Sequence, residues 1–581
     1  MRLQNSPNFS EIDPSAPAIG VEPGSEVMST DSPPPHSDEL RHSGHSESDP
    51  LERDYDALPY DGGCFEHTHP ARLAVVARLF GLAAPPVETA RVLELGCASG
   101  ENLIPMAAQF PHATFVGADL SARQVEDGRR HIAALGLGNI RLERVDILDM
   151  TDDVGVYDYI LCHGVYSWVP DVVRSKIMEI VRRHLAPDGV AYVSYNVHPG
   201  SYQRLAAREL MLFAAQGSTD PRERLKTAKD VLSFVGGTMP IGSASGQSLR
   251  SIVDTVTSST DSYVFHEYLE PYNRPLWFHE FWSHLVGNEL TYVADSHFGN
   301  ILLPDVTDEA ARKLRELAPD RLRLEQYLDF YRNQTFRRSI VAQGARSPNA
   351  EPSLDAIESL YVSADVQAAQ GGERDIGTPA TMVFVSARGQ ELRTNDPLEK
   401  AILWELGDVF PRAIETPTLR RRAARRVSSA VAEHLGPERP QVGRLVLRLA
   451  AEGAVELHLT PLAVAVDVAE RPRASAIARY MAAIGPDVPN YRHQQFVLSE
   501  IEREVLVLLD GSRTLADVAS EIRTKLRRGE TSISRDGVRV DYETLHPMVP
   551  RLVEMMAQVF LRQSLLLDDA PAGLGADRHC H

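Results

Sequence analysis

Glu94, Gly96 and Gly100 fall within RVLELGCASGENL, where a short apolar run gives way to a helical pattern. Glycines at such a junction let the backbone turn sharply and approach a ligand, and the helix that follows supplies free N–H groups. Asp119 closes the next apolar run, nineteen residues after Gly100, close to the spacing at which an acid holds ribose hydroxyls. A third run, RVDILDM, carries Asp146, positioned to accept from an adenine amino group while the N–H of Ile147 meets a ring nitrogen. Any one of these acids alone would more often be a helix cap or turn residue. Together, at this spacing, they predict a nucleoside ligand. The turn reads E-x-G-x-A-x-G, with an acid ahead of the first glycine. That anion would repel a pyrophosphate but suits the cationic aminoacyl end of S-adenosyl-L-methionine (AdoMet).

A second group lies in ILCHGVYSWVPD, where His163, Tyr166, Ser167 and Trp168 crowd the end of an apolar run, with Tyr195 on the following run. Methyl transfer is an in-line displacement, so a site must chiefly orient the acceptor and leave its lone pair free. Tyr166, Trp168 and Tyr195 are suited to wall a slot that draws in an ammonium through their π-faces. Only the neutral amine attacks, and desolvation by those rings would lower its pKa. His163 is the candidate proton acceptor or AdoMet contact. His163, Tyr166 and Tyr195 are therefore the expected catalytic residues. Packing of Tyr166 and Trp168 beneath a helical segment is an equally open alternative.

The elements that must position these groups alternate in type. Apolar runs at 91–95, 113–119, 140–146, 157–163 and 189–196 are separated by helical patterns, which predicts a parallel sheet covered on both faces. Two further strands are expected at 291–298 and 336–343, making 205–290 a helical insertion within an α/β domain of residues 53–345. Residues 1–52 are polar and Pro-rich and are expected to be disordered. A linker is expected over 346–395, winged-helix-like helical domains over 396–470 and 471–565, and a flexible tail over 566–581.

With 581 residues the chain exceeds what one core usually supports. A net charge of −20 opposes nucleic-acid binding, which needs clustered Lys and Arg. Four scattered cysteines without CxxC spacing argue against a disulfide framework or a structural zinc site and suit a cytoplasmic location. No apolar run is long enough to span a bilayer, so membrane insertion is not expected. His279 and His284 in WFHEFWSH are five apart rather than four, which defeats a zinc-protease site. The basic run RRRAARR (420–426) is expected to be a solvated helix face, and the tail DRHCH a frayed terminus, so no metal is expected.

The motifs ELGCASG, GADLS and VDILD resemble those of class I AdoMet-dependent methyltransferases, which implies a seven-stranded doubly wound, Rossmann-like sheet. Asn/Asp-Pro-Pro-aromatic, frequent in enzymes acting on base or amide nitrogens, is absent. LPYDGGCFEHTHPARL (58–73), HGVYSWVP (163–170), LAPDGVAYVSYNVHPGS (185–201), FHEYLE (265–270), WFHEF (277–281), EQYLDFYRNQTFRRS (325–339) and the stretch 490–519 resemble a narrower bacterial group. Its members carry a methyltransferase regulatory domain and include lysine methyltransferases of outer-membrane proteins. The resemblance implies a protein lysine ε-amine as acceptor, a protein or peptide partner, and homodimerisation. Carried onto these motifs, it adds Tyr60, Asn102, Leu120 and His163 to Glu94, Gly96, Gly100, Asp119, Asp146 and Ile147 as cofactor contacts. Ser201 stands where the group commonly has Trp, and Ala71 where it commonly has Asp. LLDGSRTLADVA (508–519) also resembles domains that grip precursor peptides, so methylation of a natural product or precursor peptide is the alternative. A non-catalytic AdoMet-binding regulator is the further one.

Overall fold

Apolar runs of five to twelve residues become the strands β1 (Arg91–Leu95), β2 (Thr114–Asp119), β3 (Ile140–Arg144), β4 (Tyr157–Cys162), β5 (Leu185–Asn196), β6 (Leu290–Asp295) and β7 (Phe336–Gln343). The computed structural model describes residues 62–302, 306–369, 376–386, 389–427, 439–535 and 538–568. Segment 1–52, Tyr60 and the DRHCH tail lie outside these. The strands form one sheet in the order β3-β2-β1-β4-β5-β7-β6. Strands β1 to β5 pair in parallel, while β7 runs antiparallel to both β5 and β6. The doubly wound α/β sheet expected from the sequence is present. Strand order reverses between β1 and β4, and ligands of such sheets bind in the crevice beyond the carboxyl ends at that point.

Residue alternation sends each strand's side chains to two cores. Val92, Tyr159, Leu161 and Tyr192 face one, packed by α1 (Pro70–Leu79) and α2 (Leu103–Gln109). Leu93, Ile160, Cys162, Val193 and Tyr195 face the other. Between β2 and β3 lies α3 (Ala122–Leu135), started by the Ser121 side chain accepting from the N–H of Gln124 and stopped by Gly136 at φ 65. Helix α4 (Asp171–His184) follows β4 and ends in Arg182, Arg183 and His184, a charge sign that suits its C-terminus.

Five helices separate β5 from β6: α5 (Ser201–Ala214), α6 (Pro221–Thr238), α7 (Ala244–Ser258), α8 (Asp261–Tyr268) and α9 (Phe278–Gly287). The first four share a core of their own, with Met211, Leu225, Leu232 and Phe265 at its centre. Helix α9 differs. Its Phe278, Phe281 and Leu285, three and four apart, form one stripe that packs on the second face of the sheet. Helix α10 (Arg321–Arg332) precedes β7 and is bound to it by Arg337, whose Nε lies 3.0 Å from both Asp329 oxygens.

The expectation of a linker over 346–395 is corrected. This stretch holds the strands Tyr361–Ser363, Val366–Ala368, Met382–Ser386 and Glu391–Thr394, which enter two small antiparallel sheets. Ile357, Leu360 and Val362 are fully buried in the same core as Val92 and Tyr192. Strands of three to five residues between Gly- and Pro-rich turns are too short for a period of two to show. The basic run is the solvated helix face expected, with Arg421, Arg422, Arg425 and Arg426 exposed; Arg420 pairs with Glu358 at 3.2 Å, and Arg426 bonds to Glu405 and Asp408. The C-terminal region builds a separate core around Val505, Ile522, Val553 and Phe560. Leu566 and Leu567, expected to begin the tail, instead bridge to Ala474 and Val464. Among the described residues no helix is long and apolar enough to cross a membrane.

Candidate active site

The turn after β1 is held by its own backbone. Gly96 and Gly100 take φ of 72° and 78°, a region closed to most side chains, and Ala98 sits at 50°. The N–H groups of Gly96 and Cys97 go to the Ala118 carbonyl, that of Gly100 to Cys97, and that of Ala98 to Asp119 at 2.8 Å. These donors are taken up within the protein, so they are not presented to a pyrophosphate. The other Asp119 oxygen accepts from Ser121 N at 2.9 Å. Burial raises the Asp119 pKa, against the pull of these N–H bonds. Two backbone donors thus fix the carboxylate at the end of β2, beside half-buried Leu120. Asp146 is half-buried at the end of the third strand segment, where one oxygen caps Leu148 N at 2.8 Å and so turns the chain at Ile147.

Glu94 is 3% exposed, and one of its oxygens accepts from the Asn102 amide at 2.7 Å. The other, Oε2, is buried with no hydrogen-bond partner. Burial, aided by Asp119 and Glu101, pushes the Glu94 pKa up to about 8, while the Asn102 bond opposes the rise. A buried acceptor left unmatched costs about 1–3 kcal/mol. A cationic ammonium would satisfy it. The residues present therefore fit the aminoacyl end of AdoMet.

His163 continues from β4 onto the first face of the sheet. Its Nδ1 lies 3.1 Å from the hydroxyls of Tyr192 and Ser194, and Ser194 Oγ accepts from Gly164 N at 2.9 Å. Phe65 lies over the imidazole at 4.2 Å between centroids, and Phe336 meets it edge-on at 6.3 Å. Burial lowers the His163 pKa to about 3, with Arg338 adding to the effect. A ring so hard to protonate, with hydroxyls at Nδ1, is poorly suited to accept a proton. It is better placed to shape the site.

Tyr166 and Tyr195 belong elsewhere, which corrects the expected aromatic slot. Both project to the second face and are 0% and 1% exposed. Tyr195 stacks on Phe281 at 4.3 Å and bonds to Ser339 Oγ at 3.0 Å. Tyr166 meets Phe281 edge-on and shares a 2.7 Å hydrogen bond with His284 Nδ1. They are core residues under α9. Two links in the chain explain this: strand alternation sends Tyr195 opposite Tyr192, and Arg174 ties the carbonyls of Tyr166 and Ser167 to α4 at 2.7 and 3.3 Å. Trp168 remains half-buried, its N–H on the Val165 carbonyl.

Residues that the motifs contained but chemistry did not single out complete the site. The segment 62–69 lies along the cofactor turn, with Phe65 N donating to Asn102 Oδ1 at 3.1 Å and Thr68 Oγ1 accepting from Asn102 Nδ2 at 3.0 Å. His493 and Gln495 reach in from the C-terminal region, the first to Asn102 Oδ1 at 2.8 Å and the second to Cys64 N at 3.1 Å. Their signal in the sequence is the resemblance carried by 58–73 and 490–519, together with the clustering of His and amide side chains in FEHTH and NYRHQQF.

Three family models match this chain. They are a methyltransferase domain over residues 93–191, a predicted methyltransferase regulatory domain over 260–343, and a PKMT C-terminal winged helix domain over 470–565. Uncharacterized protein RP028 of Rickettsia prowazekii is 38% identical over 228 residues, covering 39% of this chain and 91% of that protein. The chain belongs to the class I AdoMet-dependent methyltransferases that carry a methyltransferase regulatory domain. This methyltransferase is also 29% identical to uncharacterized protein RP789 of the same organism over 525 residues, 88% of this chain and 93% of that one. The structure of PKMT2 from Rickettsia typhi in complex with AdoHcy superposes with a TM-score of 0.79 at 27% identity. It covers 87% of this chain and 100% of PKMT2. The protein is thus an AdoMet-dependent methyltransferase.

Proposed function

We propose that the protein transfers the AdoMet methyl group to the ε-amine of lysine in protein or peptide substrates, in the cytoplasm. One observation carries this reading: similarity to PKMT2, a protein lysine methyltransferase by its name, runs through the whole of that chain and includes the PKMT winged helix region. A homologue that shared only the cofactor sheet would be compatible with many acceptors.

The site residues fit an amine acceptor in a specific way. Bound AdoMet supplies the electrophilic methyl group. Glu94 and Asp119 would hold the cofactor's ammonium and ribose, with Asp146 and Ile147 toward the adenine. His163, Phe65 and Phe336 would line the acceptor side, where the low pKa of His163 keeps it neutral. Arg338 acts on the same histidine electrostatically, so a lysine ammonium would be disfavoured next to it and the neutral amine preferred. Deprotonation is then the work of desolvation and a nearby cation, and the proton leaves to solvent before transfer. The free cysteines Cys64, Cys97 and Cys162 suit a reducing compartment.

The test is incubation of the purified protein with methyl-labelled AdoMet and a proteome from its own cells, followed by peptide mapping. Base-stable label on lysine supports the proposal. Base-labile label would identify a methyl ester on a carboxylate, an acceptor that Arg338 would attract, and would sink the lysine reading. Label confined to small molecules would move the function to natural-product methylation.

A further inference from the structure

We propose that His493, in the C-terminal domain, is a positioning residue for AdoMet, acting through Asn102 on Glu94. The two side chains are 391 residues apart in sequence and 2.8 Å apart in space. Asn102 Oδ1 accepts from Phe65 N and faces His493 Nε2, while Thr68 Oγ1 accepts from Asn102 Nδ2 at 3.0 Å and gives its own proton to the Phe65 carbonyl at 2.8 Å. A carbonyl oxygen surrounded in this way fixes which end of the amide is which. The Asn102 N–H group must then point to Glu94 Oε1, where it lies at 2.7 Å. That bond in turn leaves Glu94 Oε2 directed away from Asn102, buried and unpartnered. A rotated Asn102 would place an oxygen against the Glu94 carboxyl and spoil its use for a cation.

His493 is itself held for this purpose. It is 2% exposed with φ of 60°, a left-handed conformation uncommon outside glycine. Burial drives its pKa well down, so the ring is neutral; because Asn102 Oδ1, already fixed by Phe65 N, can only accept, the proton sits on Nε2. Asn490 anchors the loop by accepting from Arg492 N and Gln494 N at 2.9 and 2.8 Å and donating to the Gln563 carbonyl at 2.8 Å. Arg492 bonds to Glu456, Ser363, Pro411 and Ser564, which fastens the loop to the middle region and to the end of the last helix. The C-terminal domain therefore contributes a residue to a site it does not enclose. Because coupling is reciprocal, cofactor binding should also tighten the seat of that domain.

The inference rests on the assignment of Glu94 to the cofactor and not on lysine as acceptor. It is tested on the full chain by AdoHcy calorimetry and by steady-state kinetics with His493→Leu and His493→Gln. The leucine variant removes the donor and should weaken AdoHcy binding about tenfold, raise KM for AdoMet, and leave kcat at saturating AdoMet unchanged. The glutamine amide can place an N–H near the same point and should restore binding to within about twofold. Where the leucine variant fails to fold, His493→Asn replaces it, since its shorter amide cannot reach Asn102. In a Glu94→Gln background the loss from His493→Leu should shrink, as expected for groups acting in series. Wild-type binding by the leucine or asparagine variant would overturn the proposal. So would a glutamine variant as weak as the leucine one, or full additivity with Glu94→Gln. If Glu94→Gln alone bound AdoHcy normally, the cofactor assignment of Glu94 would fail first, and the two failures are thereby told apart.

Discussion

In the proposed assignment, the cofactor side and the acceptor side of this site are built by different rules. The cofactor side is local at its centre, with only the bracing of Asn102 by Phe65 and His493 coming from a distance. Glu94, Gly96, Gly100, Asp119 and Asp146 lie at the ends of three successive strands, and neighbouring N–H groups orient Asp119 and Asp146. The acceptor side is assembled from distant pieces: Phe65 from the segment before α1, His163 after β4, Tyr192 within β5, and Phe336 and Arg338 on β7. A site made from loop ends within one βαβ run leaves a spacing in the sequence. A site made where four segments converge leaves only residue types.

The sharpest way to break this contrast is Asp119→Ala. Its carboxylate holds Ala98 N and Ser121 N and is proposed to hold the ribose, so its loss should lower AdoHcy affinity about a hundredfold. Calorimetry with a folded variant checks it, and near-normal affinity would mean the cofactor is held from elsewhere.

What could be read from the sequence follows the same division. The strand runs were visible because parallel strands buried on both faces are nearly continuous in apolar residues. The Gly-rich turn and its acids were visible because their spacing is fixed by one βαβ unit. Tyr166 and Tyr195 were misplaced for a definite reason: the composition of ILCHGVYSWVPD does not say which face of the sheet each ring takes. The parity of β5 decides for Tyr195, and Arg174 decides for Tyr166. The supposed linker was missed because its strands are three to five residues long. The contact of His493 with Asn102 depends on a docked domain and leaves no local pattern.

A second, smaller effect concerns pH. Burial holds the Glu94 pKa at about 8 in the free protein, so near pH 7 much of it is protonated, whereas a cationic ligand requires the carboxylate. Binding should therefore take up the ionised form and release a proton. The affinity ratio of wild type to Glu94→Gln should rise by up to about tenfold per pH unit below 8 and level off above it. A ratio independent of pH between 6 and 8 would show that Glu94 does not face the cofactor's charge.

The smallest expected effect belongs to the second face. Tyr166→Phe removes the hydrogen bond to His284 and leaves the ring packed on Phe281. Thermal unfolding should show a loss of about 1 kcal/mol, with AdoMet KM and kcat unchanged. A large drop in kcat would restore Tyr166 to the site and erase the distinction between the two faces.

The most direct test is a single comparison of label transfer from AdoMet to protein substrate, with residue mapping, for wild type, His163→Ala and Tyr195→Phe. The expected result is methyl-lysine in all three, formed at least about tenfold more slowly by His163→Ala and at the wild-type rate by Tyr195→Phe. Label on residues other than lysine, or full activity in His163→Ala with loss in Tyr195→Phe, would contradict it.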